Sequence, residues 1–215
     1  MVFCRTTFCL DSIRKFSKCQ EFFEFKICYS NTMNIYLLTK NPGKIMAAQQ
    51  AFSGSGVELI SVEKEYHEIQ ADSSLEIARY TAKQAANELN APALREDHSF
   101  CLNGLKQIPG PYMNYFNRQL SENDILKLYK NINDRSGYFE VATVLAFPDG
   151  KLIESEFRVN FTLAFEARGA LQHSWNSIII LEGETRTLSE YPEQERVHIW
   201  DKGYRKILKE LKKKL

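Results

Sequence analysis

The sequence predicts an α/β fold with a mixed sheet. Through residue 96, short apolar runs alternate with helix-period segments in the order strand, helix, strand, helix, strand. Two long β-rich runs, 138–147 and 152–165, then flank Pro148-Asp149-Gly150, the composition of a hairpin turn. The first pattern implies parallel pairing and the second antiparallel pairing, so one sheet must hold both.

Residues 35–38 read as the first strand. Pro42 and Gly43 mark a loop, and 44–53 reads as a helix with Ile45, Ala48 and Phe52 on one face. Residues 57–62 form a second strand. A polar loop, 66–72, contains Glu68 and Gln70. Ser73 or Ser74 caps the next helix, which carries Glu76 in its first turn and runs to about Leu89. Residues 91–96 form the third strand, ending at Glu96-Asp97. A rigid turn, Ile108-Pro109-Gly110-Pro111-Tyr112, comes next. Short helices are predicted over 112–120 and 123–129, with Ser121 as N-cap of the second. Residues 177–181 read as a strand, Pro192 as the start of a helical turn, and 199–215 as one basic amphipathic helix.

The chain has 215 residues, 44% hydrophobic and 26% charged, with a formal net charge of +1. Those values fit one sizeable core and supply no global field for nucleic acid or a membrane surface. No run reaches the roughly 18 apolar residues of a membrane span. Four of the five cysteines (Cys4, Cys9, Cys19 and Cys28) fall in the first 28 residues and none has C-x-x-C spacing, so a reduced, cytoplasmic protein is expected. Residues 1–32 hold five basic and three acidic side chains with no clean period, and read as an N-terminal extension to a domain spanning 33–215.

Three constellations carry chemistry. Thr39, Lys40, Asn41, Pro42, Gly43 and Lys44 lie between a strand and a helix N-terminus, where free backbone N–H groups and the helix dipole favour an anion. The plainer alternative is a capped helix start with a surface lysine. Glu68 and the pair Glu96-Asp97 place three carboxylates at one sheet edge, a donor set for Mg²⁺ alongside phosphate oxygens. Otherwise Glu68 is solvated and the pair caps a turn. Trp175 and Asn176, with Arg196 and Lys202 later, offer a ring to stack a base, an amide to read it and cations to pair with it. Against that, a Trp flanking a strand, as Trp175 does, is most often core.

Taken in order, these segments resemble the inosine triphosphate pyrophosphatase family from Met33 to Leu211. Ala91-Pro92-Ala93-Leu94-Arg95-Glu96-Asp97 through Ile108-Pro109-Gly110-Pro111-Tyr112 is similar to the family's strand, acidic pair and Pro-Gly-x-Tyr turn. Thr39-x-Asn41-x-x-Lys44 is similar to its phosphate loop, and Glu68-Ile69-Gln70 to its metal-binding Glu-x-Gln segment. The resemblance implies an elongated mixed sheet with flanking helices, and two lobes around a nucleotide cleft. It implies Mg²⁺-dependent hydrolysis of an altered purine nucleoside triphosphate to the monophosphate and pyrophosphate, by a homodimer. Glu68, Glu96 and Asp97 would hold the metal, and Asp97 would take the proton of the attacking water. His98 would join the phosphate-loop residues, Trp175, Asn176, Arg196 and Lys202 on the substrate. The chain departs from the family at Lys40, which replaces a Gly in the phosphate loop, at His98-Ser99-Phe100, which replaces Ser-Gly-Leu or Thr-x-Leu, and most heavily in the base-reading half. Thr81 replaces a nucleotide-binding Lys, Ser174-Trp175-Asn176-Ser177 loses a Gly and an Asp, and Trp200-Asp201-Lys202 replaces Ser-His-Arg. A catalytically weak or inactive nucleotide-binding protein on the same fold is therefore the alternative reading.

Overall fold

The computed structural model describes residues 33–170 and 174–214. The extension assigned to 1–32 lies outside the described residues. In chain order the elements are β1 (Met33–Leu37), α1 (Pro42–Phe52), β2 (Val57–Ser61), α2 (Ser74–Leu89), β3 (Ala93–Leu102) and β4 (Ile108–Gly110). They continue with α3 (Met113–Gln119), α4 (Glu122–Leu128), β5 (Ser136–Ala146), β6 (Leu152–Leu163), β7 (Ile179–Leu181), α5 (Glu193–Trp200) and α6 (Lys202–Lys212).

The sheet runs β2-β1-β3-β5-β6-β7, with β4 folded back on β3. Pairing is parallel at β2-β1-β3 and antiparallel elsewhere, as the two sequence patterns require. Helices α1, α5 and α6 bury their apolar stripes with Leu94, Leu145 and Ile153 on one face. The alanines of α2 (Ala78, Ala82, Ala85 and Ala86) bring that helix close to Ala142, Val144 and Ala146 on the other. Where β3, β5 and β6 run on, a second lobe forms around Phe100, Phe139, Phe161 and Trp175.

Between the lobes the first face turns polar. Glu96 lies opposite Thr143 on β5, and Thr143 lies opposite Ser155 on β6. All three are buried, at 1%, 0% and 3% exposure. This polar row separates two apolar clusters that would otherwise merge. Gly203 at the start of α6 sits directly on it: a Cβ there would lie 2.2 Å from Thr143 Oγ1. Only glycine lets the helix approach this closely.

Three expectations about the elements are corrected. The third strand does not stop at Glu96. It runs ten residues, paired with β5 from Ala93↔Ala146 to Leu102↔Gly137. The polar stretch 95–99 breaks the apolar run that signals a strand, while the ladder beneath continues. The helix expected over 199–215 is two helices broken at Asp201, whose buried carboxylate accepts from Arg205 Nε at 2.8 Å. The strand expected from 177 begins at Ile179, because Trp175–Ile178 is a single 3₁₀ turn.

Candidate active site

The cleft is a gap in the pairing of β3. Its last bond to the β1 segment is Leu38 N–H donating to Leu94 O at 2.9 Å, and β4 joins only at Phe100. Arg95–Ser99 therefore present an open edge on that side. An open edge at the carboxyl end of a parallel strand is where α/β sheets bind ligands.

The N-terminus of α1 closes one side of the gap. Pro42 occupies its first turn, where a missing N–H costs nothing. Asn41 caps the helix, its Oδ1 accepting from Gly43 N–H at 2.9 Å and Lys44 N–H at 3.4 Å. Thr39 Oγ1 accepts from Asn41 N–H at 3.1 Å, so the loop is held by its own side chains. Lys44 then reaches across, Nζ donating to the Glu96 carbonyl at 3.0 Å. That carbonyl would have faced a neighbouring strand had β1 continued. Lys40 pairs with Glu65 at 2.9 Å in an exposed bridge at the neighbouring hollow.

Asp97 faces the gap. Its Oδ2 is buried and has no hydrogen-bond partner among the described residues. Burial pushes its carboxyl above the usual range, opposed by the charges of Lys44 and then Arg95, while Glu68 adds to the rise. Two residues on and on the same face, Ser99 shares a 2.7 Å hydrogen bond with Ser74 in the first turn of α2. The Pro109–Tyr112 turn ties in through Tyr112 O–H, which donates to Ala71 O at 3.3 Å. Thr39, Lys40, Tyr66, Glu68 and Arg95 line a hollow of about 570 Å³ beside the gap.

Glu96 is not in this cleft. Successive side chains of a strand leave opposite faces, so the acidic pair is split across the sheet. Glu96 Oε1 accepts from His98 Nε2–H at 2.8 Å, and the His98 ring stacks on Trp200 with centroids 5.4 Å apart. Tyr204 lies on the same side, its hydroxyl pKa raised well above the usual value by burial and then by the Glu96 charge. Glu96 Oε2, Thr143 Oγ1 and Tyr204 O–H are all buried without partners among the described residues.

The expected metal set is thus not assembled. No three of His, Cys, Asp and Glu converge on a metal position among the described residues. Glu96 faces the wrong side, and Glu68 forms an ion pair with Arg95. What does fit Mg²⁺ is the unpartnered Asp97 oxygen, because this ion takes one or two carboxylates and fills its shell with phosphate oxygens and water.

The late residues divide as well. Trp175 is 2% exposed, packs against Phe100 at 5.3 Å and donates from Nε1 to Leu120 O at 2.9 Å. It is a core residue and not an open stacking surface, which corrects the base-stacking expectation. Asn176 sits half-buried in the same 3₁₀ turn. Arg196, on α5, is half-buried with Nε unpartnered among the described residues. Lys202 is exposed and lines a different hollow, of about 290 Å³, with Arg158, Tyr191 and His198.

Sequence reading missed Arg95. The usable signal was spacing: residue 95 shares the face of Asp97, so a cation there belongs to the same site.

Residues 35–210 match the Ham1 family. The dITP/XTP pyrophosphatase of Thermococcus kodakarensis is 34% identical over 80% of this chain and 92% of its own length. That of Ignicoccus hospitalis is 33% identical over 82% of this chain and 96% of its own length. The Ham1 protein structure from Staphylococcus aureus superposes with a TM-score of 0.72 at 18% identity, covering 85% of this chain and all of that one. The HAM1 structure from Coxiella burnetii gives 0.71 at 20%, covering 84% and 97%. With its fold and most of its length in common with these proteins, the chain belongs to the Ham1 family.

Proposed function

We propose that the protein hydrolyses a nucleoside triphosphate to the monophosphate and pyrophosphate, with an altered purine such as that of dITP or XTP as the preferred base. The observation that carries this is Asp97: a buried, unpartnered carboxylate oxygen in a strand-edge gap, flanked by Lys44 and Arg95. Its pKa, raised by burial, makes it a stronger proton acceptor than an ordinary carboxylate. Asp97 takes a proton from water as the water oxygen bonds to the α-phosphorus, and the bond to the bridging oxygen breaks to release pyrophosphate. Lys44, anchored on the Glu96 carbonyl, supplies positive charge to the phosphates without needing to reorganise. Thr39, Asn41 and Gly43 shape the loop around them, and half-buried Arg196 on α5 is the further cation of this reading. Asp97, joined by Glu68 when that side chain leaves Arg95, would hold Mg²⁺. Bound there, the ion would neutralise charge developing on phosphate oxygens.

The test is pyrophosphate release from dITP, XTP, ITP, dUTP and ATP with Mg²⁺ present. Turnover favouring dITP, XTP and ITP supports the reading, and no turnover of any nucleotide by folded protein sinks it. The second reading, a nucleotide-binding protein without catalysis, is favoured by the Arg95–Glu68 pair, which occupies a carboxylate expected for metal. Thermal stabilisation by these nucleotides without hydrolysis would select it.

A further inference from the structure

Arg95 is a half-buried guanidinium committed on two sides. Nη1 donates to the Leu38 carbonyl at 2.9 Å, bracing the end of the β1 segment, and Nη2 pairs with Glu68. Its charge also acts on Asp97, whose pKa it lowers. Lys44, Arg95 and His98 act on Asp97 against Glu68, and the adjoining hollow adds Lys40 paired with Glu65 and Lys64 paired with Glu88, so no excess of negative charge awaits a ligand. A free dication entering it would meet two fixed cations, one already holding a carboxylate it needs. A triphosphate–metal complex would meet no such opposition, since its phosphates outweigh the metal charge.

We propose that Arg95 is a positioning residue that holds the place of the metal at Glu68, so that the divalent ion enters with the triphosphate and not before it. The proposal rests on the pyrophosphatase reading for the identity of the phosphate ligand, but the metal binding it concerns is measured without nucleotide. Loading the complex then frees Glu68 to join Asp97, and Arg95 remains tethered at Leu38 beside the phosphates. Removing its charge leaves Lys44 against two carboxylates, a net negative pocket that takes a bare dication.

The probe is Mn²⁺, followed by electron paramagnetic resonance in the absence of nucleotide. Wild type should show no specific binding below millimolar Mn²⁺. Arg95→Met keeps the length of the stem and removes the charge, and should bind Mn²⁺ about tenfold more tightly or better, as one unit charge near a dication requires. Arg95→Lys should behave as wild type. Arg95→Met combined with Glu68→Gln should lose the gain. Arg95→Gln, which also lacks the charge but keeps a polar end for the Leu38 carbonyl, should show the same gain and keeps the idea testable if Arg95→Met does not fold. Tight Mn²⁺ binding by wild type, or no gain in a folded uncharged variant at position 95, each overturns the proposal. Failure of pyrophosphate release with intact Mn²⁺ behaviour instead overturns the activity and leaves the place-holding role of Arg95 standing.

Discussion

The strand-edge cleft and the late segment from Trp175 to Lys202 differ in how their polar and aromatic groups are used. In the cleft, Lys44, Arg95, Glu68 and Asp97 act on one another across a gap that no strand fills. In the late segment, Arg196 apart, the corresponding groups are committed to the fold or lie elsewhere. Trp175 is core, Trp200 stacks on His98, Asp201 is buried against Arg205, and Lys202 faces another hollow. Residue types that suit base recognition are therefore weak indicators of it, because stacking and amide pairing are also what cores use. Paired charges at a sheet edge are stronger indicators, because burying them needs a reason.

The largest expected effect sharpens that contrast. Asp97→Asn should lower pyrophosphate release by about 10²–10⁴-fold, the contribution of a positioned general base. Glu96→Gln, one residue away on the opposite face, should cost less, because its carboxylate pairs with His98 and touches no cleft group. Equal losses in a steady-state assay of the two variants would break the assignment of one cleft carboxylate.

Trp175→Ala should act on stability. Removing a fully buried indole costs about 3–5 kcal/mol, on the order of 10 °C in Tm for a domain of this size. An unchanged melt with a raised KM would return Trp175 to the substrate site.

A third effect has a definite sign. The folded pKa of Asp97 lies above its unfolded value, so the native state binds this proton more tightly. Stability then falls as pH rises from the unfolded pKa through the folded one, and the charged carboxylate costs stability above that window. Asp97→Asn should raise Tm at neutral pH, and the gain should shrink as the pH falls into the acid range. A variant less stable than wild type at neutral pH would show that Lys44 and Arg95 outweigh burial.

The smallest effect is expected at Lys202. Its exposed amine lies outside the cleft, and Lys202→Ala should change KM for any triphosphate by less than about twofold, as for other surface charges. A tenfold rise in KM would place the base end of the substrate against α6.

Much of this was legible without a structure. The alternation of strand and helix segments determined a mixed sheet, because periods of 2 and 3.6 bury one face each and must find partners. The capped start of α2 at Ser73 and the hairpin at Pro148-Asp149-Gly150 follow from local hydrogen bonding and turn chemistry, whereas α1, expected from residue 44, starts at Pro42. The cleft lysine and Asp97 were also identifiable, since charge beside an apolar run signals a ligand edge. Tertiary pairing decided the rest. Whether β3 ended at Glu96 depended on β5 lying beside it for ten residues, and that continuity sent Glu96 and Asp97 to opposite faces. Whether Glu68 met a metal or a guanidinium depended on where a loop 27 residues earlier came to rest against Arg95. Neither is a local property: side-chain alternation acts only once the strand exists, and charge pairing only once distant segments meet.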